Sequence, residues 1–428
     1  MNTAKVRWKS IFLSSLGNIL EWFDYAIFGA FSAIMAKNFF SNEVDGYFAQ
    51  LCVYAVFAVG FIGRPIGGVI FGHIGDLYGR KKVLFSSILL MAVSTAIIGM
   101  LPTYREIGAF APTMLVLMRL CQGMAIGGEY TGGMVYLVEQ ATTDRRGLTG
   151  SFSELGCLLG TLVGGQLTLI TLSWVMDQQS LESWGWRIPF LTGVLIAPYA
   201  FYVRRNIKES PEAFPKKRTD IIPIAEAFKF YWPQLLAAFF STAFSGVSLY
   251  TILVFLPNHI FTQKEIVGAD MAFVCSAITN MFMILSVAVF GHVSDKIGRK
   301  PIMISGIIGV MATCYPMIAL SKSGVGFWYL MFQIMFGLSL SAFYGPRSAF
   351  MSEAFPRQIR VTAVSLVVGL CQATFGGLTP FIATYILSKT GNVSYVALLL
   401  LAVCFLAIVG TCKLSSSKMK ATASKTAN

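Results

Sequence analysis

The sequence has 428 residues, of which 55% are hydrophobic and only 12% are charged, about half the charged fraction of an ordinary soluble domain. A soluble protein of this size needs a polar shell that these residues cannot supply, so lipid must solvate much of the surface. The net charge of +13 does not indicate nucleic-acid binding, because the basic residues lie in separate short segments and do not form one stripe.

Because a helix needs about 20 apolar residues to cross a bilayer, hydropathy predicts an all-α membrane protein with twelve transmembrane helices. The first six spans, numbered in chain order, are 11–36, 47–73, 83–101, 111–139, 147–173 and 186–204. The second six are 232–257, 270–292, 301–320, 325–353, 360–388 and 392–413. The apolar run after the basic N-terminus is too long for a signal peptide, so we expect it to be retained as span 1.

The distribution of Lys and Arg predicts that both termini are cytoplasmic, because most of these residues fall in the segments on that side. The predicted organisation is an N-terminal six-helix bundle (1–204), a cytoplasmic linker (205–231), a C-terminal six-helix bundle (232–413) and a short cytoplasmic tail (414–428). The basic run at 216–218 in the linker is interpreted as a solvated face or a contact with anionic membrane lipid.

The eight cysteines lie in apolar stretches without a C-x-x-C pair or a partnering His. We therefore interpret them as small core residues and expect neither metal binding nor disulfides. No cofactor is expected. No nucleotide-binding loop or hydrolytic triad motif occurs either, so direct coupling to ATP is not predicted.

An internal repeat relates the two halves. The segment GHIGDLYGRKK (72–82), between spans 2 and 3, recurs as GHVSDKIGRKP (291–301), between spans 8 and 9. Acid–base pairs also recur in equivalent loops, as Glu139 with Arg146 and as Glu353 with Arg360. The two halves therefore follow one six-helix plan.

The repeated loop resembles the signature G-x-x-x-D-x-x-G-R-K of the major facilitator superfamily, with its residues at Gly72, Asp76, Gly79, Arg80 and Lys81. Glycine permits a tight turn between packed helices, and Asp76 can bond nearby cations or a helix N-terminus. We interpret the motif as part of a cytoplasmic gate; the alternative is a simple topological turn rich in positive charge. The other residues assigned to gating are Arg64, Glu139, Arg146, Asp295, Arg299, Glu353 and Arg360.

Four longer strings resemble the metabolite:proton symporter branch of this superfamily, which includes carriers of 2-oxoglutarate, citrate, shikimate and proline/betaine. They are GNILEWFDY (17–25), GRPIGG (63–68), RLCQGMAIGGEYTGG (119–133) and WGWRIPF (184–190). The resemblance implies proton-driven uptake of an organic solute by a multi-pass protein of the cell inner membrane. Osmosensory proline/betaine members carry a long helical C-terminal extension that this chain lacks, so osmotic regulation is not expected.

Seven charged residues fall inside predicted spans, where each costs about 2.5–3.5 kcal/mol: Glu21, Asp24, Arg64, Arg119, Glu129, Glu154 and Arg347. All but Arg347 belong to the first half, which is therefore predicted to handle the proton. Glu21 and Asp24 share one helical face, and Arg119 lies at a similar depth to Asp24. We hypothesise that Asp24 titrates during transport, with Arg119 either as its partner or as the anchor for a substrate carboxylate.

Glu129, Arg64 and Glu154 are predicted to lie at similar depth and to form one buried network. Such a network can either couple protons or simply hold helices in register. A proton route through Glu129 alone is the competing version. The predicted proton-coupling residues are thus Asp24, Glu21, Glu129 and Glu154.

Four tyrosines fall on spans 1, 4, 7 and 10, which line the cavity in the family that the sequence resembles: Tyr25, Tyr130, Tyr250 and Tyr344. Their hydroxyls or ring faces are candidates for substrate binding, with ordinary helix packing as the alternative. Arg347 is expected either to bind a second carboxylate or to pair with Glu353.

Together these features predict a secondary active transporter that carries a proton and a small carboxylate-bearing or zwitterionic metabolite by alternating access. Dicarboxylates and zwitterions are left unranked. A membrane enzyme is not favoured, because the buried charges lie at mid-depth and the loops are short. A passive facilitator or membrane sensor of the same fold is the alternative. The expected partners are the small-molecule substrate, the proton and membrane lipid, with the chain acting as a monomer.

Overall fold

The computed structural model describes residues 8–41, 46–78, 80–127, 129–192, 223–263, 268, 271–322, 324–357 and 359–414. Within these ranges the chain forms helices and no strand. Nine helical stretches in the described part are long and apolar enough to cross a membrane, and they correspond to spans 2, 4, 5 and 7–12. The prediction of an all-α membrane protein is confirmed.

The helices of the first half follow the predicted spans. Span 1 comprises Trp8–Ala30 and Ser32–Phe39, span 2 Gly46–Tyr78, span 3 Arg80–Met100, and span 4 Phe110–Ile126 with Glu129–Gln140. Span 5 comprises Arg146–Thr161, a π-helical turn Leu162–Leu167, and Thr168–Val175. Short helices Tyr104–Ile107 and Gln178–Ser180 and a π-helical turn Leu181–Gly185 lie outside the spans. Most of predicted span 6, from residue 193, lies outside the described residues.

In the second half, span 7 comprises Pro223–Tyr250, the π-helical turn Thr251–Phe255, and Leu256–Thr262. Span 8 is Ala272–Ile297, span 9 Arg299–Leu320 and span 10 Phe327–Glu353. Span 11 comprises Arg360–Cys371, the π-helical turn Gln372–Gly376, and Thr379–Thr390, and span 12 is Tyr395–Lys413. The first helix of span 7 begins earlier than predicted, but its backbone leaves helical geometry at Tyr231, two residues before Pro233.

Glycines bring spans 2 and 4 into close contact. A Cβ atom on Gly63 would lie 2.7 Å from the carbonyl oxygen of Leu120, and one on Gly60 would lie 3.0 Å from Nη2 of Arg119. Small residues permit such close packing between helices in lipid, where no hydrophobic effect drives them together. This contact fixes the position of the Arg119 side chain in the core of the first half.

Spans 5 and 8 meet along a polar seam between the two halves. Gln166 donates to Ser276 Oγ at 2.7 Å, and Asn280 donates to Gln166 Oε1 at 3.0 Å. All three side chains are buried. The seam places the middle of span 5, with Glu154, against the second half.

Candidate functional site

A small cavity lies between the halves at the centre of the bundle. Its volume is about 10 Å³, which is room for about one water molecule. Its walls come from spans 1, 4, 5, 7, 10 and 11, and its lining residues are Trp22, Tyr130, Glu154, Cys157, Leu158, Thr161, Leu249, Tyr344, Arg347 and Gln372. The centre is therefore nearly closed in this conformation.

A buried ion pair joins the two halves at this cavity. Arg347 Nη2, from span 10, lies 2.8 Å from Oε1 of Glu154 in span 5, and both side chains are almost fully buried. Arg347 Nη1 also donates to Ser245 Oγ at 2.8 Å, and Arg347 Nη2 donates to the Tyr130 hydroxyl. Tyr130 in turn donates to Glu154 at 3.0 Å. We call Glu154 and Arg347 the central ion pair.

Asp24 and Arg119 are connected indirectly. Thr95 Oγ1 lies 3.3 Å from Asp24 Oδ2 and accepts a hydrogen bond from Gln122 Nε2 at 2.7 Å. Gln122 Oε1 accepts from Arg119 Nη1 at 2.8 Å. Two neutral side chains, Thr95 and Gln122, therefore connect the Asp24 carboxyl group to the Arg119 guanidinium. The direct ion pair that was considered because Asp24 and Arg119 lie at similar depth is not observed.

Arg64 forms a buried ion pair inside the first half. Its Nη2 lies 3.4 Å from Oε1 of Glu21, and both side chains are buried. The guanidinium groups of Arg64 and Arg119 lie 4.8 Å and 4.6 Å from the centre of the Tyr25 ring. Tyr25 donates its hydroxyl hydrogen to the Gly60 carbonyl at 2.8 Å. This aromatic contact partly replaces the water that the two cations lose.

The prediction that Arg64 and Glu154 belong to one buried network is wrong. Arg64 pairs with Glu21 inside the first half, whereas Glu154 pairs with Arg347 across the interface. Their helices direct the two side chains to different interfaces, which residue depth alone does not reveal. The side chain of Glu129 lies outside the described part of the structure.

The predicted tyrosines lie near the centre, with different surroundings. Tyr130 and Tyr344 line the cavity, and Tyr344 donates to the Ser245 carbonyl at 3.0 Å. Tyr250 stacks on Trp22 with ring centres 6.4 Å apart, and its buried hydroxyl has no hydrogen-bond partner among the described residues. Tyr25 contacts the two arginines and does not line this cavity.

At one end of the bundle, which we call the motif end, the repeated loop of the second half contacts the first half. Asp295 accepts backbone N–H bonds from Gly147 at 2.8 Å and Leu148 at 2.9 Å, in the first turn of span 5. Arg299 lies 2.5 Å from Asp295 and 3.4 Å from Glu353. Asp295 therefore satisfies N–H groups at a helix start in the opposite half, where a negative charge is favourable.

The repeated acid–base pairs of the motif end cross between the halves. Glu139 pairs with Arg360 at 2.5 Å, and Arg146 pairs with Glu353 at 3.9 Å. The predicted alternative in which Arg347 pairs with Glu353 is not observed. In the first half, Gly79 lies outside the described residues, as do the side chains at Gly72, Asp76 and Arg80.

The opposite end of the bundle contains a larger cavity, of about 510 Å³. Tyr47, Gln50, Tyr54 and His259 are among its lining residues. Asn258 also lines it and donates to the Gly29 carbonyl at 2.9 Å, which joins spans 1 and 7. In the described part of the chain, polar contacts thus join the two halves at the motif end, while the larger cavity lies at the opposite end.

Sequence reasoning missed five neutral residues of these clusters: Trp22, Thr95, Gln122, Ser245 and Gln372. Thr95 and Gln122 connect Asp24 to Arg119, and Ser245 holds Arg347. A search for charge inside predicted spans cannot find neutral side chains. Polar residues spaced along an otherwise apolar span are the signal that was available.

Comparisons with known proteins agree with this architecture. The profile described as "Sugar (and other) transporter" matches residues 10–220, and the profile described as "Major Facilitator Superfamily" matches residues 238–427. A relative from Staphylococcus aureus (strain COL), named "Putative proline/betaine transporter", is 34% identical over 402 residues. That alignment covers 92% of this chain and 84% of the relative. The chain belongs to the metabolite:proton symporter family of the major facilitator superfamily.

A second relative and a solved structure are also similar to this chain. The "Proline/betaine transporter" of Salmonella typhimurium (strain LT2) is 29% identical over 430 residues, which cover 97% of this chain and 84% of the relative. The crystal structure of a D-xylose-proton symporter matches with a TM-score of 0.73 at 17% identity, over 94% of this chain and 96% of that chain. At this identity the match establishes the major facilitator fold alone. The protein is a multi-pass membrane transporter of small molecules and not an enzyme.

Proposed function

We propose that this transporter is a proton-coupled symporter of a small zwitterion with a carboxylate group, of the proline or betaine type. The observation that carries the proposal is the central ion pair, which lines the cavity between the halves. A cavity wall with one cation and one anion is complementary to a solute that also has both charges. The names of the relatives support the same substrate class.

The substrate would compete with the central ion pair. Its carboxylate would replace Glu154 at Arg347, and its cationic group would lie near Glu154 and the aromatic rings of Trp22 and Tyr130. A dicarboxylate would instead bring two negative charges to a site with one arginine and one carboxylate. Burying the second charge without a partner is costly, so the charge balance favours a zwitterion.

Asp24 is the proposed proton carrier. It is 9% exposed, and in the described structure it accepts a hydrogen bond from the neutral hydroxyl of Thr95. A buried carboxylate without a contacting cation is costly, and proton binding removes that charge before the halves move. Glu21 and Glu154 contact arginines directly, so we assign them to holding Arg64 and Arg347 in place. Glu129 remains a second candidate for the proton route.

The motif end is the proposed cytoplasmic end, with both termini on that side of the inner membrane. The conformation is then closed to the cytoplasm by the contacts of Asp295, Glu139 and Glu353, and it has a wide cavity on the outer side. Rocking of the bundles 1–204 and 232–413, joined by the linker 205–231, would open the other side. We further propose that a monomer in contact with membrane lipid is the working unit.

Uptake by purified protein in liposomes tests the proposal. An inward proton gradient should drive proline or glycine betaine to an internal concentration above the external one, and a protonophore should abolish this accumulation. Oxoglutarate, citrate and shikimate serve as the alternative substrates. Entry that only equilibrates the zwitterion would favour a passive facilitator, and binding without entry would favour a sensor. Accumulation of a dicarboxylate but no zwitterion would refute the substrate class.

A further inference from the structure

The Thr95 hydroxyl lies between the Asp24 carboxyl group and two other hydrogen-bonding groups. Its Oγ1 atom is 3.3 Å from Asp24 Oδ2, 2.9 Å from the Met91 carbonyl oxygen of its own helix and 2.7 Å from Gln122 Nε2. The Thr95 side chain is buried in span 3. A hydroxyl has one hydrogen to donate and two lone pairs that accept, so Thr95 can donate to only one of its neighbours at a time.

The guanidinium of Arg119 fixes the direction of these hydrogen bonds. Arg119 only donates, so Gln122 must turn its Oε1 atom toward Arg119 Nη1, at 2.8 Å, and its NH2 group toward Thr95. Thr95 Oγ1 therefore accepts from Gln122. Its single hydrogen is left for the Met91 carbonyl or for Asp24. The donors of this series thus point from Arg119 toward Asp24.

The two protonation states of Asp24 use Thr95 differently. An ionised Asp24 can only accept, so it takes the Thr95 hydrogen, and a hydrogen bond to a charged group is about twice as strong as one between neutral groups. A protonated Asp24 can donate to the remaining lone pair of Thr95, whose hydrogen then turns to the Met91 carbonyl. Thr95 therefore offers a partner to both states and binds the ionised state more strongly.

The other buried charges of the first half leave this role to Thr95. Besides Asp24, the charged side chains buried in the described part of that half are Glu21, Arg64, Arg119 and Glu154. Glu21 and Glu154 each pair directly with an arginine. Arg119 is the cation whose charge acts on Asp24, and hydrogen bonds connect the two through neutral side chains. The Thr95 hydroxyl is the last of these groups and contacts the carboxylate itself.

From this arrangement we infer that Thr95 is a positioning residue of the transport cycle, whose hydroxyl stabilises ionised Asp24 while the empty carrier returns without a proton. The inference rests on the proposed function, in which Asp24 carries the proton. Exchange of solute across the membrane can proceed with Asp24 protonated throughout. Net uptake requires Asp24 to lose its proton before the carrier returns, so the loss of the Thr95 hydroxyl should slow net uptake far more than exchange.

The test compares two rates in the same liposomes, with labelled proline or glycine betaine, whichever the wild type accumulates. One is net uptake driven by an inward proton gradient, and the other is exchange of labelled for unlabelled solute without a gradient. Thr95→Val keeps the shape of the side chain and removes the hydroxyl. It should lower the ratio of net uptake to exchange by about tenfold or more, the effect of losing one hydrogen bond to a charged group. Thr95→Ser retains the hydroxyl and should keep the wild-type ratio.

Thr313→Val is the matched control. Thr313 is a buried threonine of span 9, the counterpart of span 3 in the second half, and its hydroxyl donates to the Gly309 carbonyl of its own helix at 2.8 Å. Its substitution should leave the ratio unchanged. If Thr95→Val does not fold, Thr95→Ala removes the same hydroxyl with a smaller side chain.

The outcomes separate the role of Thr95 from the proposed function. A wild-type ratio in the variant without the hydroxyl would overturn the role of Thr95 and leave the proposed function standing. A ratio in Thr95→Ser as low as in Thr95→Val would do the same, because the effect would then not depend on the hydroxyl. A wild type that accumulates neither solute under the proton gradient would overturn both.

Discussion

The central ion pair should show strong energetic coupling between Glu154 and Arg347. Glu154→Gln leaves the Arg347 cation buried with only neutral acceptors, among them Ser245 at 2.8 Å. Arg347→Gln leaves the Glu154 carboxylate with the Tyr130 hydroxyl at 3.0 Å as its shortest remaining bond. Removing one partner of a buried pair costs about 3–5 kcal/mol, whereas replacing both partners can be nearly neutral. The double variant should therefore be more stable than either single variant.

Thermal unfolding in detergent measures this coupling, with circular dichroism as the probe. Each single substitution should lower Tm by an amount on the order of 5 °C or more. The double variant Glu154→Gln/Arg347→Gln should recover most of that loss, so its loss in stability should fall well below the sum of the two single losses. Strictly additive losses in the double variant would refute the reasoning, since they would mean that the two charges do not stabilise each other.

Two further predictions concern the motif end and the packing of the first half. Asp295→Asn should weaken the hydrogen bond from Gly147 by about 1.5–3 kcal/mol. Amide hydrogen exchange at the start of span 5 should therefore become at least tenfold faster. Unchanged exchange would exclude Asp295 as a contact that closes the motif end. Gly63→Ala places a methyl group 2.7 Å from the Leu120 carbonyl and should reduce the yield of folded protein. Gly132→Ala should be tolerated, because its added methyl group would have no described atom within 4 Å beyond its chain neighbours and its own helix backbone. Equal yields from both glycine variants would contradict the packing argument.

The sequence predicted the helical architecture well because bilayer thickness imposes long apolar segments. It also identified Asp295 and Arg299, which belong to a repeated motif, and Asp295 does contact the first half at the motif end. Their role in gating stays a prediction. The sequence did not predict which acidic and basic residues of the motif end pair with each other. Glu139 and Arg146 are neighbours in the sequence, yet each contacts a partner in the second half, Arg360 and Glu353 respectively.

The site itself could be predicted only in part. Charge inside a span identified Glu154 and Arg347 as functional candidates, because the cost of burial makes such residues rare. Depth along a helix did not say which side chains face each other, so Arg64 was wrongly grouped with Glu154. Gln372, which lines the central cavity, was missed because it carries no charge.

The central claim is that Asp24 carries the proton that crosses with the solute. A direct test is to follow the internal pH of liposomes containing the protein when solute is added outside in the absence of any gradient. The wild type should acidify the interior as proline or glycine betaine enters, and Asp24→Asn should still exchange labelled for unlabelled solute without acidification. Equal acidification by Asp24→Asn and the wild type would contradict the claim.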